Sequence, residues 1–299
     1  MAYSHFRTGL LACLSSLALT PIAAQAQEST GNPIIVQGVL EKEEKQVDTL
    51  TKSITKRPRS GKPVSKFYDP VCIGVFGMSP DYAAVLITQM ENNARELGIV
   101  IAGEGCKVNT LVGFVRDSKK EVERLRKDEP WLFETMLDYE YERVLKGSGA
   151  VQAWHATKLK GRDGKEFASI MVGDPPREVQ ANDPFSANRL TGQVRMDMIG
   201  SIVLIDSRQV PGKTIQQLAD YATMRSFASV YDTSEGEVSP TSTILSLFDD
   251  GADVPDGLTP FDWAYLHALY KVSPNAGGDS LTNATWSEYK RRALGIVEE

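Results

Sequence analysis

The chain has 299 residues, a formal net charge of −6 and a hydrophobic fraction of 41%. The acidic balance argues against a nucleic-acid partner, because such proteins concentrate positive charge on the surface that meets the phosphates. The length and apolar content suit one large or two small globular domains.

The first 26 residues have the three parts of a cleavable signal peptide. Basic residues come first, an apolar stretch runs from Leu10 to Ile22, and Ala24-Gln25-Ala26 is a cleavage site. The apolar stretch is too short for a transmembrane helix, and no later segment is apolar enough to span a bilayer. An alternative is a lipoprotein signal ending at Cys13. We expect cleavage near Ala26 and a periplasmic or secreted mature protein with no transmembrane segment.

Two cysteines, Cys72 and Cys106, remain after the leader is removed. In an oxidising compartment an even pair favours a disulfide. The alternative is two free thiols acting as redox groups or metal ligands. We expect the disulfide, since neither close spacing nor partner histidines accompany the cysteines.

The mature chain divides into two parts. Residues 27–67 form a polar N-terminal segment with a peripheral helix-like stretch at 41–56, and its basic Pro/Gly-rich part at 57–63 is typical of a linker. A basic arm that touches anionic lipid is the alternative for this part. Residues 68–299 form the globular domain, with a possible subdivision near 147–150.

The pattern of apolar residues predicts both strands and helices in the globular domain. Strands are expected at 71–76, 99–102, 110–115, 151–159, 167–172 and 198–205, with a hairpin turn at 162–164 joining the fourth and fifth. Helices are expected at about 80–97, 117–127, 130–146, 214–230, 241–248, 260–270 and 284–294. The segment 173–192 is expected to be a covering loop. The fold class is therefore α/β or α+β, a mixed sheet with flanking helices and a helical C-terminal part.

The second half of the chain resembles uncharacterised exported proteins of Gram-negative bacteria that have a reduced metzincin-like layout. The resemblance covers roughly 69–275 and rests on short segments: Ser201-Ile202-Val203-Leu204-Ile205, Phe248-Asp249-Asp250-Gly251, Leu258-Thr259-Pro260-Phe261-Asp262 and Leu266-His267-Ala268-Leu269-Tyr270. It implies a peptidase-like fold in which the helix after the apolar strand corresponds to the one that carries zinc ligands in true metallopeptidases.

The zinc motif itself is absent. A zinc peptidase needs two histidines one helical turn apart beside a glutamate, whereas the corresponding helix reads Ala219-Asp220-Tyr221-Ala222-Thr223-Met224-Arg225. The mature chain has only His155 and His267, which fall on different predicted elements. Zinc-peptidase activity is therefore not expected, and no other motif predicts a cofactor.

Five residues remain as candidates for an unconventional catalytic site: Asp220, Tyr221, Arg225, His155 and His267. Asp220 could instead form an ion pair with Arg225, and the two histidines could be packed, hydrogen-bonded core residues. Asp249, Asp250, Asp253 and Asp256 could bind calcium, although their spacing misses the established loop pattern and fits a solvated turn.

Two functions follow as hypotheses. The first is a non-catalytic protein that binds a periplasmic partner or ligand, in a groove under the 173–192 loop. The second is a periplasmic hydrolase built on Asp220, Tyr221 and one of the histidines, in which substitution of Asp220 would abolish turnover.

Overall fold

The computed structural model describes residues 33–56, 62–136, 138–146, 149–167, 169–172, 177–180, 194–231, 241–249, 254–293 and 295. The predicted signal peptide, most of the basic 57–63 part of the linker and most of the 173–192 loop lie outside them. The chain divides into two units, 1–39 and 40–299, and the fold described below belongs to the second unit.

The described helices and strands follow one another in an order close to the predicted one. The α-helices are α1 (Pro33–Ile54), α2 (Pro80–Glu96), α3 (Ser118–Asp128), α4 (Asp138–Lys146), α5 (Ile215–Phe227), α6 (Pro260–Lys271) and α7 (Gly278–Ala293). The strands are β1 (Ser65–Lys66), β2 (Ile73–Phe76), β3 (Thr110–Val115), β4 (Val151–Gly161), β5 (Ser169–Val172), β6 (Arg177–Gln180) and β7 (Val194–Asp206), and short 3₁₀ turns occupy Pro130–Phe133, Ser207–Gln209 and Ile244–Phe248. The chain is of the α/β class with a helical C-terminal part.

Strand β7 organises the main, mixed sheet of five strands. It pairs in parallel with β3 through 201–206 and with β1 through 196–197, and β3 in turn pairs in parallel with β2. Strand β4 pairs antiparallel along the other edge of β7, from Val151 opposite Ile205 to Gly161 opposite Val194. The core residues Val203, Leu204 and Ile205 are fully buried, because helices cover both faces of the sheet.

Each face of the sheet packs on its own cluster of side chains. Trp154 of β4 stacks on Phe133 with ring centroids 5.0 Å apart, and its Nε1 donates to the carbonyl oxygen of Leu132. On the opposite face, α5 is buried from Gln217 to Phe227 and contacts α2, α6 and the Ile244–Phe248 turn. Helix α5 begins at Thr214, whose side chain and that of Gln217 form a reciprocal capping box.

The hairpin expected at 151–172 differs in the structure. The turn at 161–165 forms, with the Gly161 amide bonded to the Lys165 carbonyl at 2.8 Å. Strand β5, however, pairs with β6 in a separate two-stranded sheet. Strand β4 instead pairs with β7, because pairing there places Trp154 beside Ile202 in one apolar cluster. Residues 177–180 of the expected covering loop are thus a strand.

Three further elements differ from the sequence prediction. The expected strand at 99–102 is a single bridge between Val71 and Ile101, and the expected helix at 130–146 divides into the Pro130–Phe133 turn and α4. Helix α1 is not peripheral along its second half. Val47, Leu50 and Ile54 are buried, because their spacing gives α1 an apolar stripe that packs into the core.

The Cys72–Cys106 disulfide is present, with Cα atoms 6.1 Å apart. It ties the start of β2 to the turn that precedes β3. Among the residues described, no helix has the length and apolar character needed to cross a bilayer.

Candidate binding groove

A buried carboxylate, that of Asp220, lies between α2 and α5. Its Oδ1 accepts hydrogen bonds from Asn93 Nδ2 at 2.7 Å and Gln89 Nε2 at 3.3 Å. Its Oδ2 accepts from Gln216 Nε2 at 2.8 Å and from the Leu258 amide at 3.1 Å. Asp220 is 3% exposed, and four donors compensate its removal from water.

The loop before α6 closes over this carboxylate. A Cβ atom on Gly257 would lie 2.5 Å from Asp220 Oδ2, so only glycine fits there without moving the carboxylate. This close approach brings the Leu258 amide within hydrogen-bonding distance. The acid therefore joins α2, α5 and the 254–259 segment.

The carboxylate also fixes the orientation of two glutamine amides. A carboxylate can only accept hydrogen bonds, so Gln89 and Gln216 must both present their nitrogen atoms to Asp220. Their carbonyl oxygens then point away from the acid. Both side chains line a groove of about 300 Å³ between α2 and the start of α5. We call it the α2–α5 groove, and its lining is Ala84, Val85, Thr88, Gln89, Ile215 and Gln216.

The walls of the α2–α5 groove are mainly apolar. Val85 is 51% exposed, and Tyr82, one turn earlier on α2, is 64% exposed. An apolar cleft with a few convergent polar groups is the usual form of a binding site. Here the polar side chains of the lining are Thr88 and the two glutamines, Gln89 and Gln216.

The other candidate catalytic residues lie in bonded or packed positions. Tyr221 is 1% exposed and meets the ring of Phe248 edge-on, with centroids 5.0 Å apart. Arg225 is buried on the same helix, and its guanidinium carbon lies 6.0 Å from the centre of the Tyr221 ring. The four bonds described for Asp220 go to other partners than Arg225.

His155 is bonded at the C-terminal end of α5. Its Nε2 lies 3.0 Å from the carbonyl oxygen of Arg225, so Nε2 carries the proton. Burial, together with the positive charges of Lys56 and Arg225, lowers the pKa of His155 to about 3. The imidazole is therefore neutral at pH 7 and satisfies one of the carbonyl groups that the end of a helix leaves unpaired.

His267 lies on α6, away from these bonds. Its Nε2 contacts Arg292 Nη2 at 2.5 Å and lies 3.8 Å from Glu96 Oε1. Burial first, and then Arg292 and Lys271, lower the pKa of His267. Because the guanidinium can only donate, the imidazole accepts and is neutral.

The carboxyl ends of the parallel strands, where open α/β sheets commonly bind ligands, carry two acidic residues with local partners. Asp206, the last residue of β7, accepts from the guanidinium and the backbone amide of Arg208, and these bonds lower the pKa of Asp206. Asp117, after β3, caps α3 by accepting from the Lys120 amide at 3.1 Å. Both carboxylates thus stabilise their own turns.

The aspartates considered for calcium are only partly within the described residues. Asp249 and Asp256 are described, whereas Asp250 and Asp253 lie outside. Across the described part of the chain, no group of three or more His, Cys, Asp or Glu side chains is placed to hold a metal ion.

Sequence reasoning singled out Asp220 but missed its partners. Asn93 was the available signal, because this polar residue lies beside Ala94 and one turn from Met90 on the buried side of α2. A buried amide on an apolar face requires a polar partner. Nothing in the sequence indicated that the partner is 127 residues away. No protein-family model, curated protein or solved structure matches the chain.

Proposed function

We propose that the chain is an exported, non-catalytic binding protein whose α2–α5 groove receives a segment of a partner polypeptide. Export is supported by the Cys72–Cys106 disulfide and by the signal-peptide pattern of residues 1–26. Binding rather than catalysis is supported by one observation above all: the most plausible catalytic acid, Asp220, has four donors and lies beneath the groove.

The chemistry of the α2–α5 groove defines its partner. Its apolar wall fits an apolar side chain, and the two glutamine carbonyl oxygens fit hydrogen-bond donors on either side of that side chain. Backbone N–H groups of an extended peptide supply donors at regular intervals beside each side chain. A polypeptide segment therefore fits better than a ligand rich in acceptors.

A peptide library displayed on phage tests this proposal. Peptides selected on the folded protein would be measured against Val85→Lys, which places a charged chain on the apolar wall without altering a buried residue. We expect a loss of affinity of about tenfold or more, corresponding to ~1.4 kcal/mol.

Val100→Lys is the matched control, because Val100 is also an exposed valine, at 62%, and does not line the groove. It should bind the selected peptides as the parent does. Equal binding by the parent and Val85→Lys would place the interaction outside the groove and contradict the proposal. Selected peptides rich in acidic side chains would also contradict it, since the groove presents acceptors.

A further inference from the structure

Two exposed residues of α2, Asp81 and Tyr82, lie one turn before Val85 of the α2–α5 groove. They precede Val85 by four and three positions, and residues at these spacings are neighbours on the surface of a helix. The first turn of α2 therefore continues the wall of the groove beyond Val85.

The Asp81 carboxylate carries a negative charge that has no cation within ion-pair distance. It is exposed in the first turn of α2, and within the described part of the chain it forms neither an ion pair nor a hydrogen bond. The dipole of the helix favours an acid in this turn. That interaction leaves both carboxylate oxygens open to donors from another molecule.

Tyr82 is a large side chain that lies mostly in solvent. It is 64% exposed, and among the described residues its ring packs on no other ring or cation and its hydroxyl has no hydrogen-bond partner. Tyrosine is enriched in protein interfaces, where its rigid ring and its hydroxyl contact the partner together. A free aromatic face also attracts a cation that lies over it.

The polar side chains of the groove favour a partner that donates hydrogen bonds. Thr88 donates its hydroxyl to a carbonyl oxygen of its own helix at 2.9 Å. Gln89 and Gln216 donate to Asp220. Each of the three lining side chains thus has a donor engaged within the protein and retains an oxygen that can accept. Together with the charge of Asp81, these acceptors favour a cationic partner over an acidic one.

We propose that the partner segment carries an arginine whose side chain binds Asp81 and Tyr82 together. The inference rests on the proposed function, because it adds a second contact to the same groove. A guanidinium group is planar, so it can stack on the Tyr82 ring and also donate two parallel hydrogen bonds to the Asp81 carboxylate. A lysine ammonium is a compact point charge and lacks this geometry.

The geometry of an extended segment places this arginine. Side chains on the same side of an extended peptide are two residues apart, or ~7 Å. One turn of α2 separates Val85 from Asp81 and Tyr82 and spans ~5.4 Å, so the long arginine side chain can cover the difference. We therefore expect the arginine two residues from the apolar side chain that contacts Val85.

A double-mutant cycle with the peptides selected on the folded protein tests this proposal. We expect arginine to be enriched two positions from an apolar residue. Replacement of that arginine by alanine should lower affinity for the parent protein about fivefold. On Tyr82→Leu the same replacement should cost less than about twofold, because the ring that the arginine contacts is already absent.

Three further variants separate the two contacts. Tyr82→Phe keeps the aromatic face and should bind as the parent does. Asp81→Asn should lose about two- to threefold in affinity for the arginine peptide only. Asp279→Asn is the matched control, because Asp279 is an exposed acid in the first turn of α7, and it should have no effect.

Selected peptides without arginine at that position, or an equal cost of the arginine replacement on the parent and on Tyr82→Leu, would overturn the proposal. Either result is compatible with a loss of binding in Val85→Lys, which would leave the groove as the binding site. Unchanged binding by Val85→Lys would instead remove the groove and the arginine contact with it.

Discussion

Asp220 and Glu43 each have a buried carboxylate oxygen, yet the two acids are placed differently. Asp220 has four donors from three parts of the chain. Glu43 Oε2 has none among the described residues. The difference teaches that burial alone does not mark a functional acid. An acid with all its donors holds the fold together and orients its neighbours, whereas a buried oxygen that lacks a donor costs stability.

Removal of the Asp220 carboxylate should have the largest effect on stability. Asp220→Ala removes one acceptor from each of the side-chain amides of Gln89, Asn93 and Gln216 and from the Leu258 backbone amide. We therefore expect a loss of ~3 kcal/mol in the free energy of unfolding. Urea unfolding measures it. Asp256→Ala is the control: Asp256 is exposed on the adjacent loop and should change stability by less than about 0.5 kcal/mol. Similar values for the two variants would show that Asp220 is not a structural anchor.

A methyl group at Gly257 should have the next largest effect. Gly257→Ala places Cβ 2.5 Å from Asp220 Oδ2, so either the loop or the carboxylate must move. We expect a loss of about 1–3 kcal/mol and weaker binding of groove-selected peptides. Gly277→Ala has no atom within 4 Å of the new Cβ and should be close to neutral. A neutral Gly257→Ala would mean that the loop gives way without disturbing the acid.

Asp262 is an intermediate case, because it has donors and is nevertheless strongly affected by burial. It accepts from Thr243 Oγ1, the Ile244 amide and Thr259, yet burial raises its pKa from 3.8 to about 6. The folded state therefore binds the proton more tightly than the unfolded state. The resulting stability is fully present below pH 3.8 and is lost as the pH rises through 6.

Asp262→Asn should remove this pH dependence. An asparagine can accept from the Ile244 and Thr259 amides and donate to Thr243, whose hydroxyl can reverse its role. Stability would be measured by urea unfolding from pH 4 to pH 7. As the pH rises across this range, the free energy of unfolding of the parent should fall relative to that of Asp262→Asn. The expected change is about 1 kcal/mol per pH unit at its steepest. Parallel curves would contradict a raised pKa.

The smallest effect is expected from Glu43→Gln. It removes a buried charge without breaking a hydrogen bond to Oε2, so we expect the free energy of unfolding to stay the same or rise by up to about 1 kcal/mol. Thermal and urea unfolding measure this. A loss comparable to that of Asp220→Ala would show that Glu43 has a structural donor and would remove the contrast between the two acids.

Local sequence patterns predicted much of the fold. The cysteine pair indicated its disulfide, and the apolar periodicity indicated α2, α5 and α6, because each of these features depends on neighbouring or regularly spaced residues. Strand β1 has only two residues and leaves no pattern. Strand β4 pairs with β7 and not with β5. The sequence does not show which partner β4 takes, because the choice depends on contacts between distant segments.

The candidate sites were less accessible to sequence reasoning. Asp220 stood out on its helix, but its contacts with Asn93 and Leu258 depend on how three segments pack. The burial of Glu43 Oε2 also depends on tertiary packing, and the sequence indicated only a peripheral helix-like stretch there. A site assembled from distant residues can be recognised only in the tertiary structure, because its residues form no local sequence motif.

The most direct test of the proposed binding function is the NMR response of the Gln89 and Gln216 side-chain amide groups to a peptide selected on the folded protein. Both glutamines are held by Asp220, and we propose that their carbonyl oxygens accept hydrogen bonds from the partner. We predict that both side-chain amide signals shift and saturate together with the backbone signal of Val85. Saturable binding that leaves both glutamine signals unchanged would contradict the α2–α5 groove as the binding site.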